Sequence, residues 1–325
     1  MLITSSWADL PDPPEQRVSS YRSQHAGGDE LTLSKPPEIM VDPRPIQRIL
    51  VPIDGSPVSA SVLDYVSGMA LHLKAAVVLL TCVPPGLKSG VPERDRLEEL
   101  AKPLRKRGLD VKTVVHQGEA GTGIVEASQR YEADLIAMTA RAKQGGKTDM
   151  LGSTAHEVLR SRVEPVLVLA PPDGKVAARE WSKPDAIVVG LDGSALATTA
   201  LPHAELLAKA FNSEIVLVRA VMPPDALGGA ARYYGAVDDF AERYVAGIVE
   251  SMRRRGLRVS ARTGHRSADR ELVAAADSFD SALIVLSTRG LTGRPDLVLG
   301  SVTDKVVRAQ RHPVLAVPAA RPRPA

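Results

Sequence analysis

From residue 46 onward, short runs of adjacent apolar residues alternate with longer stretches in which apolar positions recur every three or four residues. The runs Ile49–Ile53, Ala76–Thr81, Val111–Val115, Leu135–Met138 and Val166–Leu169 are dominated by Val, Ile, Leu and Ala. Strands this continuous in apolar residues are covered on both faces, as in a parallel sheet crossed by helices. Between the first two runs, Val58, Val62, Leu63, Val66, Met69, Ala70 and Leu73 fall on one face of a single helix. Ser56 supplies its N-cap and Pro57 a first-turn proline. A second helix, Glu93 to Arg107, contains Pro103, which predicts a kink because proline removes one backbone donor and crowds the preceding turn.

The whole pattern occurs twice. The octet Ile49–Ser56, ILVPIDGS, returns 138 residues later at Ile187–Ser194 as IVVGLDGS. Leu151-Gly152-Ser153, followed by the run from Pro165, returns 148 residues later as Leu299-Gly300-Ser301, followed by the run from Pro313. The second set of strands is Ile187–Leu191, Ile215–Val218, Arg258–Ala261, Leu283–Leu286 and Val314–Val317, with a helix from Asp238 to Arg255 that ends at Gly256. An internal repeat of this kind means two copies of one domain. The fold class is therefore α/β, with two tandem copies of a five-stranded parallel sheet and four crossover helices in each. The ten extra residues of the second copy fall near the glycine-rich stretch Pro224 to Asp239.

The domains are expected at 46–172 and 184–318, joined by a linker at 173–183 and followed by a tail at 319–325. Residues 1–45 differ in kind: they hold seven prolines and four basic against seven acidic side chains. Such a segment buries too little apolar surface to offset its ordering entropy, so it reads as a disordered or loosely docked arm.

Composition narrows the function classes. A net charge of +3 over 325 residues with 3% aromatic residues supplies neither a basic stripe nor stacking rings for nucleic acid. No apolar stretch reaches the roughly 18 residues of a membrane span, and the first residues lack the basic start and apolar core of a signal peptide. A cytoplasmic protein is expected. The single cysteine, Cys82, lies in an apolar run and reads as core. The seven histidines form no i, i+4 pair, and neither Ser153 nor Ser301 sits in a Gly-x-Ser-x-Gly elbow, so catalytic and metal readings are thin.

In open parallel sheets, ligands sit at the carboxyl ends of the strands, where the connection order reverses. That selects the loops after strands one and four of each copy. After strand one stand Asp54-Gly55 and Asp192-Gly193. Such an Asp can accept hydrogen bonds from a sugar hydroxyl or an adenine amine, although Asp-Gly is also an ordinary strand-to-helix turn. After strand four, the second copy reads Ser287, two residues, Gly290, nine residues, Gly300-Ser301. Gly290 permits close approach of backbone to a phosphate, and Gly300-Ser301 opens a helix whose free N–H groups and dipole favour an anion. Ser301-Val-Thr-Asp304 also has capping-box form, so Ser301 is equally an N-cap candidate.

This spacing resembles the ATP-binding signature of the universal stress protein family, and the likeness runs through both copies from the Asp-Gly-Ser turn to the last strand. The resemblance implies a Rossmann-like fold of the universal stress protein type, with ATP as ligand and any Mg2+ or Mn2+ carried by its phosphates. It implies nucleotide contacts at Asp192, Gly193, Ser287, Gly290, Gly300 and Ser301, with Asp54, Gly55, Thr139, Ala142, Gly152 and Ser153 as counterparts. The first copy departs from the signature, since Thr139 and Ala142 both carry a Cβ where flexible positions belong. The stretch Arg141 to Thr148 has a P-loop-like ending, but Gly152 interrupts the helix that should follow.

The reading is an ATP-binding regulatory or stress-response protein with at most slow hydrolysis. The alternative is a nucleotide-free interaction scaffold with degenerate sites. Val166–Leu169 and Val314–Val317 would be exposed apolar edges if unpaired, so an intramolecular pseudo-dimer of the two domains through these strands is expected. Further homodimerisation is left open.

Overall fold

The computed structural model describes residues 44–86, 91–140, 151–161, 164–169, 181–221, 234–288, 299–309 and 311–318, with the side chains of 234–240 excepted. The expectations for the N-terminal arm up to residue 43, the linker up to residue 180, the tail and the P-loop-like stretch lie outside these residues. So do Ala142 and Gly290.

The described residues form ten strands: β1 (Arg48–Pro52), β2 (Ala76–Val83), β3 (Val111–Gln117), β4 (Leu135–Thr139), β5 (Val166–Leu169), β6 (Ala186–Gly190), β7 (Glu214–Ala220), β8 (Val259–Gly264), β9 (Ala282–Ser287) and β10 (Val314–Val317). They form one sheet in the order β3-β2-β1-β4-β5-β10-β9-β6-β7-β8. Among the described residues, every strand pairing within each half is parallel. The seam between halves is antiparallel, with Val314 opposite Val168, Leu315 opposite Leu167 and Ala316 opposite Val166.

Alternation along each strand sends neighbouring side chains to opposite faces. Ile49 and Val51 enter one apolar layer, and Leu50 enters the other. The first layer runs through both halves: it joins Leu167 and Leu169 to Leu315 and Val317, and Met69 and Leu97 to Phe211 and Met252. The second layer includes Val158 and Leu159 of the first half and Leu272, Val306 and Val307 of the second.

The first crossover is two helices rather than one. α1 (Pro57–Ala60) and α2 (Val62–Leu73) meet at Ser61, and α6 (Ala195–Thr198) and α7 (Ala200–Phe211) meet at Thr199. The cause is a local competitor for the helical carbonyls: Ser61 Oγ donates to Val58 O at 2.7 Å, and Thr199 Oγ1 to Leu196 O at 2.6 Å. The backbone N–H of Ser61 is itself shared between Pro57 O and Val58 O, a 3₁₀-like tightening. The expected cap is present, since Ser56 Oγ accepts from Ser59 N at 3.1 Å, and Ser194 Oγ accepts from Ala197 N at 3.1 Å. The remaining helices are α3 (Val91–Lys106, with Pro103 inside), α4 (Ala120–Arg130), α5 (Ser153–Ser161), α8 (Tyr234–Arg254), α9 (Ala268–Ala276) and α10 (Ser301–Ala309).

Candidate functional site

In each half the strand order reverses at one place: β1 leads to β2 on one side and is flanked by β4 on the other, and β6 lies likewise between β7 and β9. The carboxyl ends of these strands therefore open a crevice. In the second half it holds a cavity of about 230 Å³ lined by Asp192, Ser287, Gly300 and Ser301, with Val218 and Leu272 among its apolar walls.

Asp192, Ser287 and Gly300 are each positioned by a local bond. Asp192 follows β6, and its Oδ1 accepts from Ser194 N at 2.9 Å and Ser194 Oγ at 2.6 Å. Gly193 adopts φ +89°, the left-handed region, which lets the chain fold back over the carboxylate. Ser287 closes β9, and its carbonyl accepts from Thr303 Oγ1 of α10 at 2.9 Å. Gly300 N donates to Thr288 O at 2.7 Å, which clasps the start of α10 to the end of β9.

The first half repeats this frame. Asp54 Oδ1 accepts from Ser56 N at 2.9 Å and Ser56 Oγ at 2.7 Å, and Gly55 has φ +84°. Burial pushes the Asp54 carboxyl upward, but hydrogen bonds with Ser59 and Ser56 outweigh it and hold the group below its ordinary 3.8. Gly152 N donates to Ala140 O at 2.9 Å, the counterpart of the Gly300 clasp, and Thr139 closes β4.

The capping-box expectation for Ser301 is corrected. The first i, i+4 bond of α10 runs from Asp304 N to Gly300 O at 2.9 Å, and that of α5 from His156 N to Gly152 O at 2.9 Å. Gly300 and Gly152 thus hold the N-cap positions, and Ser301 and Ser153 begin the helices as exposed residues. Their hydroxyls stand in the first turn, where helix N–H groups lack intrahelical acceptors.

The apolar walls went unrecognised in the sequence, although the period of two through Val216, Val218 and Ala220 marks one face of β7. The walls also distinguish the halves. Where the second cavity has Gly190 and Ala220, the first half has Pro52 and Cys82 at matching repeat positions. The thiol of Cys82 donates to Ala120 O at 3.8 Å, and burial together with the Glu126 charge pushes it up to about 11. A reciprocal exchange stands beside it. His116 of β3 fills space left by Gly123 of α4, where an added Cβ would lie 2.7 Å from His116 Cδ2 and 3.0 Å from Cys82 Sγ. At the matching positions the strand carries Gly264 and the helix Glu271, whose carboxylate would collide with a Cβ on Gly264. Glu271 is held by Arg266 Nε at 2.9 Å and Nη2 at 3.1 Å, while His116 Nε2 lies 3.4 Å from Glu126. Among the described residues, no group of three or more His, Cys, Asp or Glu side chains could hold a metal ion.

The universal stress protein MJ0531 of Methanocaldococcus jannaschii is 27% identical to this chain over 141 residues, which cover 39% of this chain and 83% of that protein. The crystal structure of a universal stress protein from Archaeoglobus fulgidus DSM 4304 covers 84% of this chain and 98% of its own, with a TM-score of 0.60 and 18% identity, a likeness of fold. A universal stress protein solved in complex with cAMP is 24% identical, with a TM-score of 0.33, and the match covers 38% of this chain and 94% of its own. No helix among the described residues is long and apolar enough to cross a membrane. The universal stress protein family model matches residues 45–170 and again 184–318, and with both halves covered the chain belongs to the universal stress protein family.

Proposed function

We propose that this chain is an adenine-nucleotide-binding regulator that holds ATP in its second half with little turnover. The observation that carries the reading is the convergence of Asp192, Ser287, Gly300 and Ser301 on one cavity at the reversal point of the sheet. About 230 Å³ accommodates a nucleobase, with sugar and phosphates lying along the open edge. Asp192 would meet the sugar, and the first turn of α10 would meet a phosphate. Mg2+ or Mn2+ would arrive with the phosphates, which supply its oxygen ligands. The first half is the weaker site, because Pro52 and Cys82 narrow what Gly190 and Ala220 leave open. The two halves act as an internal pseudo-dimer, a reading supported by the β5–β10 pairing, and a lone unpaired cysteine suits a cytoplasmic setting.

The test is to denature the purified chain, identify released nucleotide by mass spectrometry, and titrate ATP by calorimetry. One tight site, weakened by Asp192→Ala more than by Asp54→Ala, is the expected result. A protein that is empty and ignores added ATP would support the nucleotide-free scaffold instead.

A further inference from the structure

On the opposite face of β7 from the cavity stands a half-buried cation, two of whose donors lack an acceptor among the described residues. Val218 and Ala220 face the cavity, so Arg219 between them projects to the other side, toward α8. There its guanidinium carbon lies 5.5 Å from the centroid of the Tyr244 ring. Arg219 Nε and Nη1 are buried and have no hydrogen-bond partner among the described residues, and the same holds for Tyr244 Oη. Two neighbouring side chains thus carry three such polar atoms, and a buried donor without an acceptor is costly.

This place adjoins the Asp192–Gly193 turn. A Cβ on Gly193 would come within 2.7 Å of Arg219 Nη1. Burial raises the Tyr244 phenol above its ordinary value, with the Arg219 charge opposing and the Asp192 carboxylate adding to the rise, so Tyr244 senses both charges. In the first half the matching strand position is Thr81, whose hydroxyl is satisfied by Ile53 O at 2.8 Å. A guanidinium nevertheless overlies that turn too, because a Cβ on Gly55 would collide with Arg96 of α3. Two different elements deliver the same charged group to equivalent glycines, Gly55 and Gly193.

We propose that Arg219 and Tyr244 form an anion subsite beside the Asp192–Gly193 turn, which takes a phosphoryl group carried on the ribose 2′ or 3′ oxygen of a nucleotide seated in the adjacent cavity. The inference rests on the nucleotide reading of that cavity. In dinucleotide-binding sheets a carboxylate about 20 residues beyond the first βα turn reads free ribose hydroxyls, and an arginine nearby accommodates a ribose phosphate. Here Asp192 Oδ1 is already occupied by Ser194, and the unsatisfied group is the arginine. A phosphoryl dianion would give Nε and Nη1 their acceptors and the phenol its own, as charge-assisted hydrogen bonds.

The test is calorimetric titration of the full chain with AMP, adenosine 2′,5′-bisphosphate, adenosine 3′,5′-bisphosphate and inorganic phosphate. The same titrations are repeated on Arg219→Met and Tyr244→Phe. One bisphosphate should bind roughly tenfold to a hundredfold tighter than AMP. Arg219→Met should erase that preference while leaving AMP affinity unchanged, and Tyr244→Phe should reduce it. Thermal unfolding of Arg219→Met should stay cooperative and close to that of the unsubstituted chain, since methionine keeps an apolar stem against the Tyr244 ring and removes donors that lack acceptors among the described residues. Equal affinity for AMP and both bisphosphates would overturn the subsite and leave the nucleotide reading standing, as would a preference that survives both substitutions. Arg219-dependent binding of inorganic phosphate without binding of any nucleotide would overturn the ribose as the source of the anion, and the nucleotide reading with it.

Discussion

Leu167 lies directly opposite Leu315 across the antiparallel seam, and the two residues are one repeat apart. His72 Nε2 and Ala210 O, 3.0 Å apart on α2 and α7, are likewise a residue and its own counterpart. Such contacts fall where a twofold axis relates two copies. Leu167 and Leu315 are fully buried in the layer shared by both halves. Leu167→Ala and Leu315→Ala should each cost about 2–5 kcal/mol in urea unfolding. Because the side chains adjoin, the double variant should differ from the sum by about 0.5–3 kcal/mol. Strict additivity would count against a shared seam.

Trp181, just ahead of β6, is wedged between the halves. Its ring meets Tyr65 edge-on at 4.9 Å and Phe211 at 5.4 Å, and it packs over Gly68 of α2. A Cβ on Gly68 would collide with the indole. Gly68→Ala should therefore destabilise by about 1–3 kcal/mol, as overpacked cores do. In a Trp181→Ala background the clash is gone and the better helix propensity of alanine remains, worth up to about 1 kcal/mol. The sign of Gly68→Ala should reverse. A destabilisation of equal size in both backgrounds would show that Gly68 matters for another reason.

The strands were legible because local apolar runs report burial on both faces, and Ile49–Ile53 against the observed Arg48–Pro52 differs by one residue at each end. The Ser56 and Ser194 caps were legible because capping is local chemistry. The breaks at Ser61 and Thr199 were not, since periodicity counts apolar positions and is blind to a hydroxyl that bonds back to its own helix. Nor did periodicity reveal that Gly300 rather than Ser301 caps α10. Arg219 with Tyr244, and Trp181 with Tyr65 and Phe211, join residues distant in sequence, and only the assembled sheet brings them together. The exchange of His116 and Gly123 for Gly264 and Glu271 could have been read by aligning the two copies at the 148-residue offset, but its meaning as exchanged volume required the packing.

Cys82 offers a test of the crowded first site. With its thiol pushed up to about 11 from 9.0, first by burial and then by Glu126, the reactive thiolate is scarce at neutral pH. Maleimide labelling of the full chain at pH 7.5 should be slower than labelling of a free cysteine by roughly tenfold or more. Glu126→Gln should accelerate it modestly, since the smaller cause is removed and the burial stays. The folded state holds the Cys82 proton more firmly than the unfolded state, so this group's contribution to stability is present below about pH 9 and is lost as pH rises toward 11. Rapid labelling at neutral pH, unaffected by Glu126→Gln, would contradict the assignment.

His203 should govern the first stage of acid destabilisation. It lies on α7 at the repeat position of Tyr65, and its Nδ1 is buried without a hydrogen-bond partner among the described residues. Burial lowers its pKa from 6.5 against a smaller opposing contribution from the Thr199 backbone. The folded chain therefore prefers the neutral ring, and the unfolded chain binds more protons once pH falls below 6.5. Stability should decline from that point downward, by at most about 1.4 kcal/mol per pH unit for one proton. Asp54, Asp277 and Glu271 are held below their ordinary 3.8, 3.8 and 4.5, so their contributions are lost only in more acid solution. Urea unfolding of the unsubstituted chain and of His203→Gln, compared at pH 7, 6 and 5, separates the two windows. The variant should be less stable than the unsubstituted chain by a margin that shrinks as pH falls, because glutamine takes up no proton. Parallel profiles across this range would show that His203 is not the group that titrates.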